Sequence, residues 1–495
     1  MKLSENPIFI THKRLVHRGG VLAAVLIAGL IGFSLLLGLL NSLSEIKLSG
    51  QLHGWGFRSP AETGKNIYGW VIGVEILVLV MLGVNRVTRA LQEDRKAGLW
   101  DSNRLTPLKP GQIITGYWFA PGLREGYMAA VLAGFGLLVV LFSQLPVTLW
   151  LGTQTLIWST ALFCGLLGIL FGMAAQKSSG AVIFLAMLMF CPFSFIAPSR
   201  MLTNFLFPIY GIANLFQTGD GNRDWTRMPE IFGLPVPPIL ISLALQAILG
   251  LFVWRTLVRK TANPFQPLLL RWEAVALFSM LVGSQHALLW DAWHGKFTAP
   301  SEPWRGRELL PIVHGGTLII GLILLVLASP QPEHVRVESM RLGFKNLGAV
   351  FSRSAVSLAL SLAGVAGLAL LAQFAWGLAA SWQAYLVAVL NLAEFLLIFA
   401  LLLEFCRLRH RRRALGFVAL WLFVLCAVPL ILAAVFSNEM IARVSLLAPG
   451  FMALTNGAES WPQLFLALLA HFCVVVILFF GWRRQWKKLL AHTAG

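Results

Sequence analysis

Charge is what this chain has least of. Only 12% of its 495 residues are Asp, Glu, Lys or Arg, about half the share of a water-soluble protein, so a body of this size cannot cover its surface with charge. Cysteine is scarce too. The five residues Cys164, Cys191, Cys406, Cys426 and Cys473 all fall in or at the ends of apolar runs. None has a Cys-x-x-Cys neighbour and no histidine cluster accompanies them, which argues against a disulfide framework and against a zinc site. Sequence motifs for chemistry are missing as well. Gly64-Lys65-Asn66 lacks the leading glycine and the following hydroxyl of a phosphate loop, and no other Gly-x-x-x-x-Gly-Lys-Ser/Thr occurs. The chain is therefore not expected to bind ATP itself. Gly-x-Ser-x-Gly, His-Glu-x-x-His and paired loop carboxylates are also absent.

What is present is length and grease. Hydrophobic residues make up 57% of the chain. Apolar runs of about 18 residues or more read as membrane-spanning helices, and twelve are expected, at about 21–43, 68–84, 127–151, 154–176, 180–197, 237–257, 273–290, 309–329, 355–376, 383–404, 414–436 and 463–481. The first run is too long for a cleavable signal and has no small-residue cleavage site. With both termini placed in the cytoplasm, 29 of the 39 Lys and Arg residues fall inside and 10 outside, the positive-inside pattern. The net charge of +18 is thus read as topology and lipid contact, with no nucleic-acid partner.

Each half holds six runs, with a sizeable outer loop after the first, the main inner loop after the second and a long outer segment after the fifth. Six is even, so the halves keep one orientation, a parallel repeat. Short echoes agree: Asn6-Pro7 precedes Arg14 as Asn263-Pro264 precedes Arg271, and both long outer segments carry an apolar proline core, at Leu206–Tyr210 and Leu447–Phe451. The expected fold is all-α and polytopic, with about twelve transmembrane helices in two parallel six-helix repeats, residues 1–260 and 261–495.

The inner loop at 86–126 stands out. It runs through a charged stretch with Glu93, Arg95, Gly98 and Leu99, then a Thr106-Pro107-Leu108 turn leading back to an apolar run. This order resembles the coupling segment of ABC-transporter permeases of the type-2 exporter family. The opening Glu5-Asn6-Pro7-Ile8 is similar to that family's start, where an amphipathic helix lies along the cytoplasmic surface. The resemblance covers most of residues 1–260 in topology. It implies a permease in the cytoplasmic (inner) membrane that exports an unspecified substrate by alternating access. It further implies a separate cytoplasmic ABC ATPase that binds ATP and Mg and pushes on Glu93, Arg95, Gly98, Leu99, Thr106, Pro107 and Leu108. A twelve-span chain is then a fused pair of six-span subunits. The second half's inner loop keeps Glu338, Arg341 and Gly343 but has no Thr-Pro-Leu, so its coupling is expected to be weaker.

Within the spans, Glu75 and His314 occupy matching depths in the second run of each half. An ionisable group at such depth is a functional candidate, and the two are expected to face each other across the central interface. His286, Asn391, Glu394 and His471 read as interhelical polar contacts, and Glu404 as a snorkelling partner of Arg407 and Arg411. Trp70, Trp254, Trp382 and Trp482 read as interface belts. A twelve-span secondary transporter of the major facilitator kind is disfavoured by the composition of the 2–3 loop and the short central segment 258–272. A membrane-embedded enzyme or assembly scaffold using Glu75, His286 or His314 is the third reading.

Overall fold

The computed structural model describes residues 5–18, 20–49, 60–174, 212, 215–216, 230–231, 234–263, 266–288, 306–329, 351–375, 382–410, 414–436, 445–456 and 461–494. These are almost wholly helical, the exceptions being turns and the two-residue strands Glu230–Ile231 and Leu234–Pro235. Eight helices are long and apolar enough to cross a membrane. The chain is a membrane protein, and it divides into two compact units, Met1–Pro229 with Leu234–Pro264, and Glu230–Gly233 with Phe265–Gly495.

In the first unit an amphipathic helix α1 (Pro7–Arg18) precedes α2 (Val21–Ser49). Next comes α3 (Pro60–Lys96), which runs through a π-helical stretch at Leu77–Leu82. Two short helices, α4 (Leu99–Leu105) and α5 (Pro110–Phe119), lead to α6 (Leu123–Phe142), α7 (Val147–Ala174) and α8 (Pro238–Ala262). The second unit contains α9 (Arg271–Leu288), α10 (Gly306–Ala328), α11 (Ala355–Ala375) and α12 (Trp382–His410). Its α13 starts at Ala414 and passes through a second π-helical stretch, Phe423–Ala427, to Phe436. The short α14 (Ala448–Asn456), with Pro449 in its first turn, and the long α15 (Trp461–Ala494) follow.

Three sequence expectations shift. The run at 127–151 is not one span. Helix α6 stops at Phe142, and Gln144 takes a left-handed φ of 55°. Ser143 and Gln144 interrupt the apolar run, Pro146 cannot donate a backbone hydrogen bond, and a new helix starts at Val147. Helix α9 carries Arg271, Glu273, Gln285 and His286 in 18 residues and is not among the eight long apolar helices. The apolar stretches of α10 and α13 are the shorter Val313–Ala328 and Gly416–Leu432. The run at 180–197, the core at Leu206–Tyr210 and the loop with Glu338, Arg341 and Gly343 lie outside the described residues.

Within each unit the helices pair in the same order. In the first, α2 packs on α3 and α6, α3 on α6 and α7, α6 on α7, and α7 on α8. In the second, α9 packs on α10 and α11, α10 on α11 and α12, α11 on α12, and α12 on α15. The fourth apolar helix of each set, α7 or α12, is thus the hub. Burial agrees: the apolar windows of α12 and α7 are 67% and 56% buried, against 22% for the peripheral α2 and α15. The outward faces of those two helices are left apolar and exposed, as lipid-facing helices are.

Candidate functional site

The loop singled out in the sequence folds as a knob. Helix α3 runs past its apolar part to Lys96, where the Ala97 and Gly98 amides donate to the Glu93 and Arg95 carbonyls. Gly98 adopts φ 74° and ψ 0°, the left-handed conformation that favours glycine at a helix end. Its own carbonyl accepts from the Ser102 amide, so one residue closes α3 and opens α4. The glycine is therefore favoured by backbone geometry.

Two faces of α4 then divide. Trp100 is 5% exposed and packs into a core of Ile8, Leu91, Ile113, Ile114 and Tyr117, its ring 5.4 Å from that of Tyr117. Leu99 and Leu105 point away, 51% and 88% exposed, beside the exposed Gly98, Thr106 and Pro107. The turn is held locally. The Thr106 hydroxyl donates to the Asn103 carbonyl at 2.5 Å, and the Gln112 side chain accepts from the Lys109 amide at 2.9 Å as α5 begins. Leu108 folds inward onto the Trp100 core.

Charged side chains bolt the knob to its neighbours. Arg95 Nη1 donates to the Gly172 and Met173 carbonyls at 3.0 and 2.5 Å, at the C-terminal end of α7. A guanidinium there satisfies acceptors left over by the helix and meets its negative dipole end. Arg104 does the same at the end of α8, its Nε donating to Thr261 O at 2.8 Å. Asp94 Oδ2 accepts from the Tyr117 hydroxyl at 2.5 Å and lies 3.2 Å from His12 Nε2 on α1. Burial alone would raise this carboxyl, which lies beyond the apolar part of α3. The hydrogen bonds from His12 and Tyr117 outweigh that effect and hold it below its ordinary value. Glu93 stays exposed and makes no side-chain contact of this kind among the described residues. Among the expected coupling residues, then, Glu93, Gly98, Leu99, Thr106 and Pro107 face outward, whereas Arg95 and Leu108 face inward and hold the knob in place.

Sequence reasoning missed much of this support. Asn6 is 3% exposed; its Oδ1 accepts from the Ile8 and Phe9 amides, capping α1, and its Nδ2 donates to Gln112 O at 2.6 Å. Gly116 lets α1 lie against α5, since a Cβ there would come within 2.8 Å of Ile8. The Asn-Pro start was a visible signal; the roles of His12, Tyr117 and Gly116 depend on contacts far apart in sequence.

Glu75 and His314 belong to different units, and each finds polar company within its own. Glu75 is fully buried, and its Oε2 accepts from Gln154 Nε2 at 2.8 Å, joining α3 to α7. Trp158 Nε1 donates to Gln154 Oε1 at 3.2 Å, and Tyr68 on α3 shares a hydrogen bond with Thr153, the residue before Gln154. His314, 2% exposed on α10, interacts with Asn391 on α12. Asn391 in turn donates to Leu446 O at 2.9 Å. Gly450 closes this site, where a Cβ would sit 2.6 Å from His314 Nε2. Each unit thus ties its second apolar helix to its fourth through a buried polar contact. Among the described residues no group of three His, Cys, Asp or Glu side chains could hold a metal ion.

Two further expectations are revised. Glu404 does not snorkel: it is 7% exposed and accepts from the Ala355 amide and from Trp482 Nε1. Trp482 is correspondingly 2% exposed, a buried donor, whereas Trp70 and Trp382 are 70% and 59% exposed, as belt residues would be. No family model matches the chain, and no curated protein or solved structure matches it.

Proposed function

We propose that this chain is the membrane permease of an ATP-driven ABC exporter, and that the knob at Gly98–Pro107 receives the stroke of a separate cytoplasmic ATPase. One observation carries this reading. An exposed apolar tip, Leu99 and Leu105, sits on a buried tryptophan and is tied by Asp94, Arg95 and Arg104 to α1, α5, α7 and α8. A leucine 88% exposed at the charged end of a membrane helix is in the wrong solvent unless something covers it. A cleft on a nucleotide-binding subunit would cover it. Because the knob is bolted to several helix ends, displacing it moves those helices together, as alternating access requires. A floppy loop would absorb the displacement.

The matching order of helix pairing in the two units, and the matching second-to-fourth polar ties, support a parallel pair of six-span halves. In this reading 1–260 and 261–495 are the two halves, both termini are cytoplasmic, and the transported substrate passes between the halves. ATP and Mg are bound by the partner, not by this chain.

The test is affinity isolation of the full chain from its native membrane, followed by assay of Mg-dependent, vanadate-sensitive ATP hydrolysis. Activity should accompany the wild-type chain and fall at least about 10-fold with Leu105→Lys, a factor that about 1.4 kcal/mol of lost binding produces. Because Leu105 touches little, folding should be unchanged. A wild-type complex with no ATP-hydrolysing subunit, or full activity with Leu105→Lys and Leu99→Lys together, overturns the proposal.

A further inference from the structure

The first unit contains a polar cavity of about 470 Å³ between α1, α3 and α6, whose wall includes His12 and Asp94, the pair that ties the knob to α1. It lies where the apolar part of α3 gives way to charge: Leu82 is at its edge, and Arg86 and Arg89 come one and two turns later. Its walls are evenly charged, with the guanidiniums of Arg86, Arg89 and Arg124 facing the carboxylates of Glu93, Asp94 and Glu125.

These groups are not all satisfied by one another. Glu125 is 1% exposed, and its Oε1 takes both Arg124, at 2.8 Å, and Arg86, at 3.3 Å. Among the described residues its Oε2 is buried with no hydrogen-bond partner, and so is Oδ1 of Asn85, another residue of the cavity wall. Arg89 and Glu93 make no ion pair among the described residues. Unsatisfied buried acceptors are rare and costly, so two of them lining one cavity ask for a donor. An unpaired guanidinium at the same cavity asks for an anion.

We propose that this cavity binds a zwitterionic headgroup that joins a primary ammonium to a phosphate. The ammonium, with three N–H donors, is taken by Glu125 Oε2, Asn85 Oδ1 and the Glu93 carboxylate. The phosphate is taken by Arg89 with Arg86. A simple anionic headgroup suits the site poorly, because it brings no cation to the Glu93 carboxylate. A quaternary ammonium suits it poorly too, because it has no N–H to give the two orphaned acceptors. The position favours a membrane lipid as the source: Leu82 and Leu15, 45% and 57% exposed, offer apolar contact at the cavity edge, and charged pockets between helices at the membrane surface are where headgroups are recognised.

Native mass spectrometry of the full chain in detergent tests this, with phosphatidylethanolamine, phosphatidylcholine and phosphatidylglycerol of identical acyl chains as probes. Phosphatidylethanolamine should be retained about 10-fold better than either of the others, the factor that about 1.4 kcal/mol of lost pairing produces. Arg89→Gln and Glu93→Gln, both exposed and outside the packed core, should each remove most of this preference without changing the lipid-free unfolding temperature. Free O-phosphoethanolamine distinguishes the source. Failure to compete at millimolar concentration assigns the site to the lipid, and competition at micromolar concentration assigns it to a soluble aminophosphate of the same chemistry. Equal retention of all three lipids, a preference for phosphatidylglycerol, or unchanged preference in both variants overturns the proposal. None of these outcomes bears on whether an ATPase docks at the knob.

Discussion

The two units end differently where their second and fourth apolar helices meet. In the first, Arg95 projects from the second apolar helix to the last carbonyls of the fourth, and the chain then continues into an exposed knob. In the second, the direction is reversed. Arg407 on the fourth apolar helix, α12, donates to Ser329 O at 3.2 Å and Val326 O at 3.5 Å, at the end of the second, α10. Around it Glu404 is enclosed by the Ala355 amide and Trp482, and Arg271 holds the Ser352 and Ser354 carbonyls and, at 2.6 Å, the Ser357 hydroxyl. One physical device, a guanidinium on the acceptor end of a neighbouring helix, thus braces an exposed knob in one unit and stands beside a buried carboxylate, Glu404, in the other. If the first end transmits motion and the second is frame, their tolerance of damage should differ.

The largest expected effect is at the buried Glu404 cluster. Arg407→Ala leaves Glu404 buried without its neighbouring cation and uncaps α10, at a cost of about 3–5 kcal/mol, the range for breaking a buried charge pair. Arg95→Ala at the half-buried end loses two carbonyl contacts and should cost about 1.5–3 kcal/mol. Thermal unfolding of the two variants in detergent ranks them; a larger loss for Arg95→Ala reverses the comparison.

Next in size is the knob's hinge. Gly98→Ala forces a Cβ into the left-handed region, at about 1–2 kcal/mol, although nothing crowds the added atom. Gly98→Asn should recover part of this loss, since asparagine tolerates that conformation. If alanine and asparagine behave alike under denaturant, the strain is not at the backbone.

The smallest effect is the pH response of Asp94. Its folded carboxyl titrates below its ordinary value, so its contribution is complete above the ordinary carboxylate pKa. It is lost as pH falls through the ordinary value to the lowered one. Partly exposed as it is, the contribution should be about 1 kcal/mol or less. Asp94→Asn should flatten this acid limb of the stability curve, and an unchanged limb would mean that the contacts with His12 and Tyr117 do not matter in solution.

Much of the architecture was visible in the sequence because membrane helices announce themselves one at a time. An apolar run needs no distant partner to be recognised, and α2, α8, α11 and α15 fall close to their expected places. The break at Gln144–Pro146 was hidden because Ser143, Gln144 and Pro146 are too few to interrupt an apolar run that is read over about 18 residues. The site was half legible. Gly98, Thr106 and Pro107 carry local backbone signals, so their positions could be read directly. That Arg95 turns inward, that Trp482 is a buried donor, or that Asn6 spans to Gln112 depends on residues about 80 to 100 positions away, which periodicity does not encode.

The π-helical stretch at Leu77–Leu82 has a consequence for the angular setting of α3. Each wide turn holds an extra residue, which puts everything beyond it out of phase by about 100°, one residue's rotation in an α-helix. Upstream, Glu75 meets α7; downstream, Asp94 meets α1 and α5, and Arg95 meets the far end of α7. Deleting one residue from the stretch would restore a regular repeat while turning the distal part of the helix by that angle, aiming the knob away from its supports. The insertion therefore acts as the indexing tooth of the rod, letting a single helix keep one azimuth inside the bilayer and another at its surface.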